Sequence, residues 1–339
     1  MSTKKSGCLW VFLGVALAIS LLFNLIFAAA RVKDASGVTR SLTHSHPEAR
    51  ERLTERIIDP GSGDWRIVVI RVNGLISSGV DGQIGDSMVD DVKIQLKQAA
   101  DDEKIRAIIL SIDSPGGEVT ASDILYNAVV RAREKKPVVI SMGSMAASGG
   151  YYIACGGSWL IANETTFTGS IGVIIQSFRY DELLGKIGVA PLTFKSGAFK
   201  DMLSGTREMT EAERAYVQQL VMETYGKFVG IVAKERQLDE ATLRAGVADG
   251  RVVTGKEALA QKLVNQNGEI EDAYAKAREL GNAPDAAIVS YESRFRLGRL
   301  FRLFSSESKA GKVEVSLTPQ LLPALEPGKA YLLPSICVP

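Results

Sequence analysis

The chain has 339 residues, with 40 Lys and Arg against 39 Asp and Glu, a net charge of +1. That balance excludes a surface dominated by nucleic-acid binding, while 46% hydrophobic and 23% charged residues make a globular composition. Three scattered cysteines, Cys8, Cys155 and Cys337, exclude a disulfide-stapled scaffold and lack the spacing of a zinc site.

Residues 9–30, LWVFLGVALAISLLFNLIFAAA, carry no charge. At about 1.5 Å per residue a helix of this length reaches about 33 Å, enough to span a bilayer. A cleaved secretory signal is the alternative, with Ala28–Ala30 as a small-residue cleavage site; the length of the stretch favours a retained single-pass anchor in the cell membrane. Arg31, Lys33 and Arg40 blunt the positive-inside bias. A short N-terminus ahead of a large domain points to the bulk of the chain lying on the extracytoplasmic side. Residues 1–30 are therefore read as stub and anchor, and residues 31–65, which are polar, as a juxtamembrane stalk.

From Trp65 onward the pattern changes. Strands are predicted at 65–72, 106–112, 137–142, 159–162 and 171–175, all short runs rich in Val and Ile. Helices are predicted at 88–102, from a capping box at Thr120–Asp123 to about Lys135, at 147–155, from a cap at Thr210–Glu213 to about Glu235, and near 255–263 and 269–280. The alternation argues for α/β architecture, a largely parallel sheet covered by helices and preceded by one transmembrane helix. The globular domain is read as 66–282. A C-terminal extension, 283–339, holds a linker at 305–311 and an apolar, proline-bearing tail from Val313.

Three places carry candidate chemistry. Ser148, in Ser144-Met145-Ala146-Ala147-Ser148-Gly149-Gly150, follows a strand and begins a helix among small neighbours. It reads equally as a nucleophile and as a helix cap. The surrounding sequence is not G-x-S-x-G, so an α/β-hydrolase elbow is not supported. Ser114-Pro115-Gly116-Gly117 ends a strand, where paired glycines can aim amides at an oxyanion, although an ordinary turn explains them as well. The third is the base. The two histidines, His44 and His46, both lie in the stalk, which disfavours a Ser-His-Asp triad. A lysine serves instead if burial or a nearby cation brings its pKa from about 10.4 toward 7–8. Lys200, between Phe199 and Met202, is such a candidate, against the general rule that lysines are solvated.

Six motifs in order, IDSPGG (112–117), GSMAASGGYYIA (143–154), TGSIGVI (168–174), KSGAFKDM (195–202), REMT (207–210) and DGRVVTG (249–255), resemble the signal peptide peptidase SppA family. These are membrane-bound Ser/Lys proteases of the ClpP/crotonase-like superfamily, and a single copy of the motifs resembles the short form. The resemblance implies a ClpP/crotonase-like fold, Ser148 as nucleophile, Lys200 as general base and Ser170 holding the lysine amine. It further implies Gly117 and the Gly149 amide as oxyanion donors, with Gly116 a substitute, and leaves Lys195 without a catalytic part. It also implies a ring-like homo-oligomer, an octamer among the options, with Ser and Lys of one site drawn from neighbouring protomers. Peptide substrates, remnant signal peptides above all, would be held beside the membrane; no metal, nucleotide or other cofactor and no nucleic acid is called for. One departure stands out: Lys262-Leu263-Val264-Asn265 occupies the place where the family has Gly-Leu-Val-Asp. Three rivals remain: a ClpP-class membrane protease with another substrate, a crotonase-like thioester enzyme, and a catalytically silent scaffold.

Overall fold

Runs of β-branched residues form the frame of the molecule. A computed structural model describes residues 53–79 and 87–292, and the backbone of 331–332; the candidate anchor, most of the stalk and most of the tail lie outside the described residues. The strands are β1 (Thr54–Asp59), β2 (Arg66–Asn73), β3 (Ile105–Ser114), β4 (Gly117–Glu118), β5 (Val138–Ala147), β6 (Trp159–Ala162), β7 (Phe167–Gly169), β8 (Val252–Thr254), β9 (Gln266–Asn267), β10 (Ala287–Glu292) and β11 (Tyr331–Leu332). The helices are α1 (Met88–Asp101), α2 (Val119–Arg133), α3 (Gly149–Ala154), α4 (Asp181–Lys186), α5 (Glu211–Arg236), α6 (Glu240–Ala245), α7 (Gly255–Ala260) and α8 (Ile270–Leu280), with a 3-10 turn at Ala198–Asp201.

The main sheet runs β1-β10-β2-β3-β5-β6-β9, with β7 beside β5 and β8 beside β7. Every pair is parallel except β1–β10 and β7–β8. Both faces are covered, so the central strands are apolar throughout instead of alternating. Ile108, Leu110 and Ile112 of β3 pack in one cluster with Leu96 of α1, Val129 of α2 and Phe228 of α5. Ala107 and Ile109 of the same strand face Ala273 and Ala277 of α8 in a second. β1 and β10, which flank residues 66–282 in sequence, are strands of this same sheet.

Local signals placed most elements correctly, and the exceptions have physical reasons. α5 begins at the predicted cap: the Thr210 side chain accepts from the Glu213 amide while the Glu213 carboxylate accepts from the Thr210 amide. α2 does not begin at a capping box. Its first residue is Val119, and Ser122 is buried and donates to the Glu118 carbonyl, 2.9 Å away. The strand predicted at 171–175 is also absent. Pairing with β5 ends where Ala147 meets Gly169, and Ser170 then turns the chain away with φ +50°. Lys262 adopts φ +59°, a left-handed conformation that glycine adopts without strain, so the departure from Gly-Leu-Val-Asp falls where glycine fits better. Asn265 accepts from the Leu160 amide and from Arg236, both at 3.0 Å. Among the described residues no helix is long and apolar enough to cross a membrane.

Candidate active site

Parallel strands bring their C-terminal ends to one edge, and that edge holds Ser148. β5 delivers it and α3 follows. Its amide donates to the Gly169 carbonyl at 2.8 Å, and its carbonyl accepts from the Tyr152 amide at 2.8 Å. The backbone is held at φ +53°, ψ −113°, a region that costs a serine about 1–3 kcal/mol and persists only where the surroundings enforce it. The side chain makes no capping hydrogen bond. It is wholly buried, and its Oγ has no partner among the described residues. The helix-cap reading of Ser148 is therefore not what the structure contains.

The glycine turn lies beside it. Ile76 bonds the Gly116 carbonyl and the Glu118 amide, both at 2.8 Å, so the Gly117 N–H points to the opposite edge of β4. A Cβ on Gly117 would sit 1.9 Å from the Ile76 carbonyl oxygen. A Cβ on Gly149 would lie 2.5 Å from Ser122 Oγ and 3.1 Å from both Gly117 N and Gly116 Cα. Backbone approach thus requires glycine at 117, while at 149 the Ser122 hydroxyl and the Gly116–Gly117 backbone leave little room for a side chain, and the two backbones neighbour each other next to Ser148. The open edge of β4 takes an extended strand: β11 pairs with it antiparallel, Tyr331 opposite Glu118 and Leu332 opposite Gly117.

Ser170 directly follows the β5–β7 ladder, as Ser148 does on the neighbouring strand. It is buried, has φ +50°, and its amide donates to the Arg251 carbonyl at 2.8 Å. Ser148, Gly149, Gly116, Gly117 and Ser170 are brought together. Lys200 is not a partner of Ser148. It lies on the 3-10 turn of a stretch, residues 176–200, that is exposed almost throughout, and its amine has no partner among the described residues. Lys195, by contrast, donates to Asp201 at 2.8 Å and to the Ala198 carbonyl at 3.1 Å.

A curated relative is similar over nearly the whole arrangement. The chain is 33% identical over 291 residues to an Enterococcus faecium protein assigned as a signal peptide peptidase SppA, 84% of each chain being matched. The chain belongs to peptidase family S49. The model of that family matches residues 131–283, and a Clp protease model matches residues 74–164. This S49 serine peptidase is also 35% identical over 224 residues to Protease 4 of Salmonella typhi, covering 65% of the present chain and 35% of that protein. It is 33% identical over 227 residues to the chloroplastic serine protease SPPA of Arabidopsis thaliana, covering 66% and 33%. It spans about a third of those two longer relatives.

Within the S49 peptidase, two side chains after Ser148 had no role assigned from sequence. Tyr151 donates to the Leu263 carbonyl at 2.9 Å, and Tyr152 donates to Asp123 at 2.7 Å, where Lys227 also pairs at 2.7 Å. Tyr152 further meets the rings of Tyr126 and Phe228 at 5.6 and 4.9 Å. These contacts tie α3 to α2, α5 and the segment after α7, and so hold the strained serine from below. Burial pushes both phenols up, and pushes the adjacent Cys155 thiol up to about 12, so Cys155 is a core residue and not a second nucleophile. The sequence signal was the aromatic pair inside an otherwise small-residue motif.

Proposed function

We propose that this S49 chain is a membrane-anchored endopeptidase with a Ser/Lys dyad that degrades remnant signal peptides and similar apolar peptides. Ser148 is the nucleophile. Lys200 of a neighbouring copy is the general base, and Ser170 orients its amine. Gly117 and Gly149 donate to the oxyanion. The observation that carries the reading is Ser148 itself: a wholly buried, unpartnered hydroxyl on strained backbone beside paired glycines. Among the described residues no amine bonds the Ser148 hydroxyl, which favours a base from another copy.

The stretch that bears Lys200 supports that assembly. Leu192 and Phe194 are 80% and 89% exposed, and Phe178, Leu183, Ile187 and Phe199 are also exposed. So many large apolar side chains exposed along one stretch suit a surface that another copy covers. A second copy laid against it would cover the run and bring Lys200 to the neighbouring Ser148. Residues 9–30 are the anchor in this reading, with the catalytic domain on the extracytoplasmic side.

The chemistry follows from these roles. The neutral lysine takes the Ser148 proton, Oγ attacks the peptide carbonyl, and the two glycine amides stabilise the charge that develops on the oxygen. The lysine then protonates the leaving amine, and water releases the acyl group. The edge of β4 suits an extended peptide, because it already accepts β11 by main-chain pairing. The test is hydrolysis of a fluorogenic apolar peptide by the full chain in detergent. Ser148→Ala and Lys200→Ala are each expected to lower kcat by about 10³-fold or more at unchanged oligomer size. Full activity in either variant overturns the assignment.

A further inference from the structure

The turn carrying Lys200 sits inside a charge frame that the reaction scheme does not use. Arg207 donates from Nε to Asp201 Oδ2 at 2.9 Å and from Nη2 to Asp201 Oδ1 at 2.6 Å. The same guanidinium grips Glu213 with both terminal nitrogens, Nη1 to Oε2 at 2.9 Å and Nη2 to Oε1. Glu213 in turn accepts from the Thr210 amide at 2.8 Å and so is fixed to the start of α5. Lys195 closes the other side, pairing with Asp201 at 2.8 Å. Phe199 packs on Tyr216 of α5 with ring centroids 5.5 Å apart. Lys200 is thus flanked by a carboxylate, Asp201, already held by two cations, while its own amine has no partner among the described residues.

We propose that Arg207 is a positioning residue for the reaction: it locks the Lys200 turn onto α5 and keeps the Asp201 carboxylate from pairing with the Lys200 amine. The inference rests on the reading of Lys200 as general base. A carboxylate released beside an ammonium favours the charged form, and a protonated lysine cannot accept the Ser148 proton. The carboxyl of Asp201 is held well below the usual carboxylate range, first by Arg207 and then by Lys195, in keeping with a charge already matched. The other charged or titratable groups around the turn are Glu208, Glu211, Arg214 and Tyr216, together with Arg179. Arg179 is itself paired with Asp181 at 2.7 Å and Glu208 at 3.2 Å. None of these touches the Asp201 carboxylate as Arg207 does.

The experiment is the pH profile of kcat/KM for the fluorogenic peptide with the full chain in detergent, between pH 5 and 10. Arg207→Ala is expected to move the acid limb up by about one pH unit or more, so that activity near neutrality falls about tenfold and recovers at high pH. Adding Asp201→Asn to that variant returns the limb to the wild-type position or below it, and Arg207→Lys keeps the limb closer to wild type than Arg207→Ala does. A purely structural role lowers activity equally at every pH and leaves the limb in place. That result, or a limb that stays displaced in the double variant, overturns the proposal. If Arg207→Ala does not fold, Asp201→Asn alone decides: it leaves the Arg207 and Lys195 charges unmatched beside Lys200, so its limb should move to lower pH, and an unmoved limb, showing that the frame's charges do not reach Lys200, overturns the proposal. Lys200→Ala is run beside them. If it retains full activity, the dyad reading has failed and the frame has no catalytic lysine to serve.

Discussion

Ser148 and Lys200 differ in nearly every physical respect. Ser148 is wholly buried just after a strand of the main sheet, fixed by 2.8 Å bonds to a neighbouring strand and to the helix it precedes, and that helix is anchored by two tyrosines. Lys200 lies on a solvent-facing turn shaped by ion pairs, with large apolar residues exposed around it. The first region is finished within one chain. The second leaves large apolar side chains exposed. The comparison teaches that a strained, desolvated serine is supported by the core of one chain, whereas the proposed role of Lys200 calls for a second copy, and that requirement can be tested.

Mixing is the sharpest way to break that comparison. Ser148→Ala and Lys200→Ala chains, each inactive alone, should recover activity toward about a quarter of wild type after subunit exchange at equal amounts, as random pairing across an interface requires. Absence of recovery after verified exchange returns Lys200 to the chain that bears it. Next in size is Gly117→Ala. Its Cβ has no room beside the Ile76 carbonyl, so β4 must shift and the proposed oxyanion donor with it. A loss of about 10²-fold in kcat is expected, and a variant with wild-type kcat would remove Gly117 from the site.

The ion-paired region makes a smaller, pH-dependent prediction. Glu213 is held at about 2, chiefly by Arg207 and then by the Thr210 amide. A lowered carboxylate adds stability at pH values above its ordinary titration range, and that stability is lost as the pH falls through the lowered value. Glu213→Gln should therefore melt below wild type at pH 7, and the gap should close between about pH 4.5 and 2. A gap independent of pH would show that packing and not charge is at work. The smallest effect is a gain. The left-handed φ of Lys262 costs about 1–2 kcal/mol, and glycine's extra freedom in the unfolded chain about 0.5–1 kcal/mol. Lys262→Gly should raise stability by about 0.5 kcal/mol by that arithmetic, read as a rise in thermal midpoint without change in activity.

Much of this was legible from the residues. The runs at 66–72, 106–112, 138–142 and 159–162 are buried on both faces, and a strand of that kind announces itself by unbroken Val and Ile. The cap at Thr210 is local chemistry, and it folded where it was read. The run Ile171–Ile175 looks the same in sequence but is not a strand, because extension depends on a partner and β5 has no residue left to pair after Ala147. The two-residue strands β4, β9 and β11 have no periodicity to read at all. The candidate nucleophile, the glycine turn and the candidate lysine were named through motif order, whereas the contacts around them, from Tyr151, Tyr152 and Arg207, were not assigned.

The sequence by itself determined the α/β alternation, the family and the candidate residues, because hydropathy patterning, caps and motif spacing are local properties of a chain. Only the tertiary structure decided that, among the described residues, Ser148 is strained and unpartnered rather than a cap, that Gly117 and Gly149 neighbour each other, and that the Lys200 amine has no partner beside an Asp201 paired with Arg207 and Lys195. Each of those facts joins segments far apart in sequence, and a backbone clash or an unmatched hydroxyl exists only once the packed sheet has fixed what lies next to it.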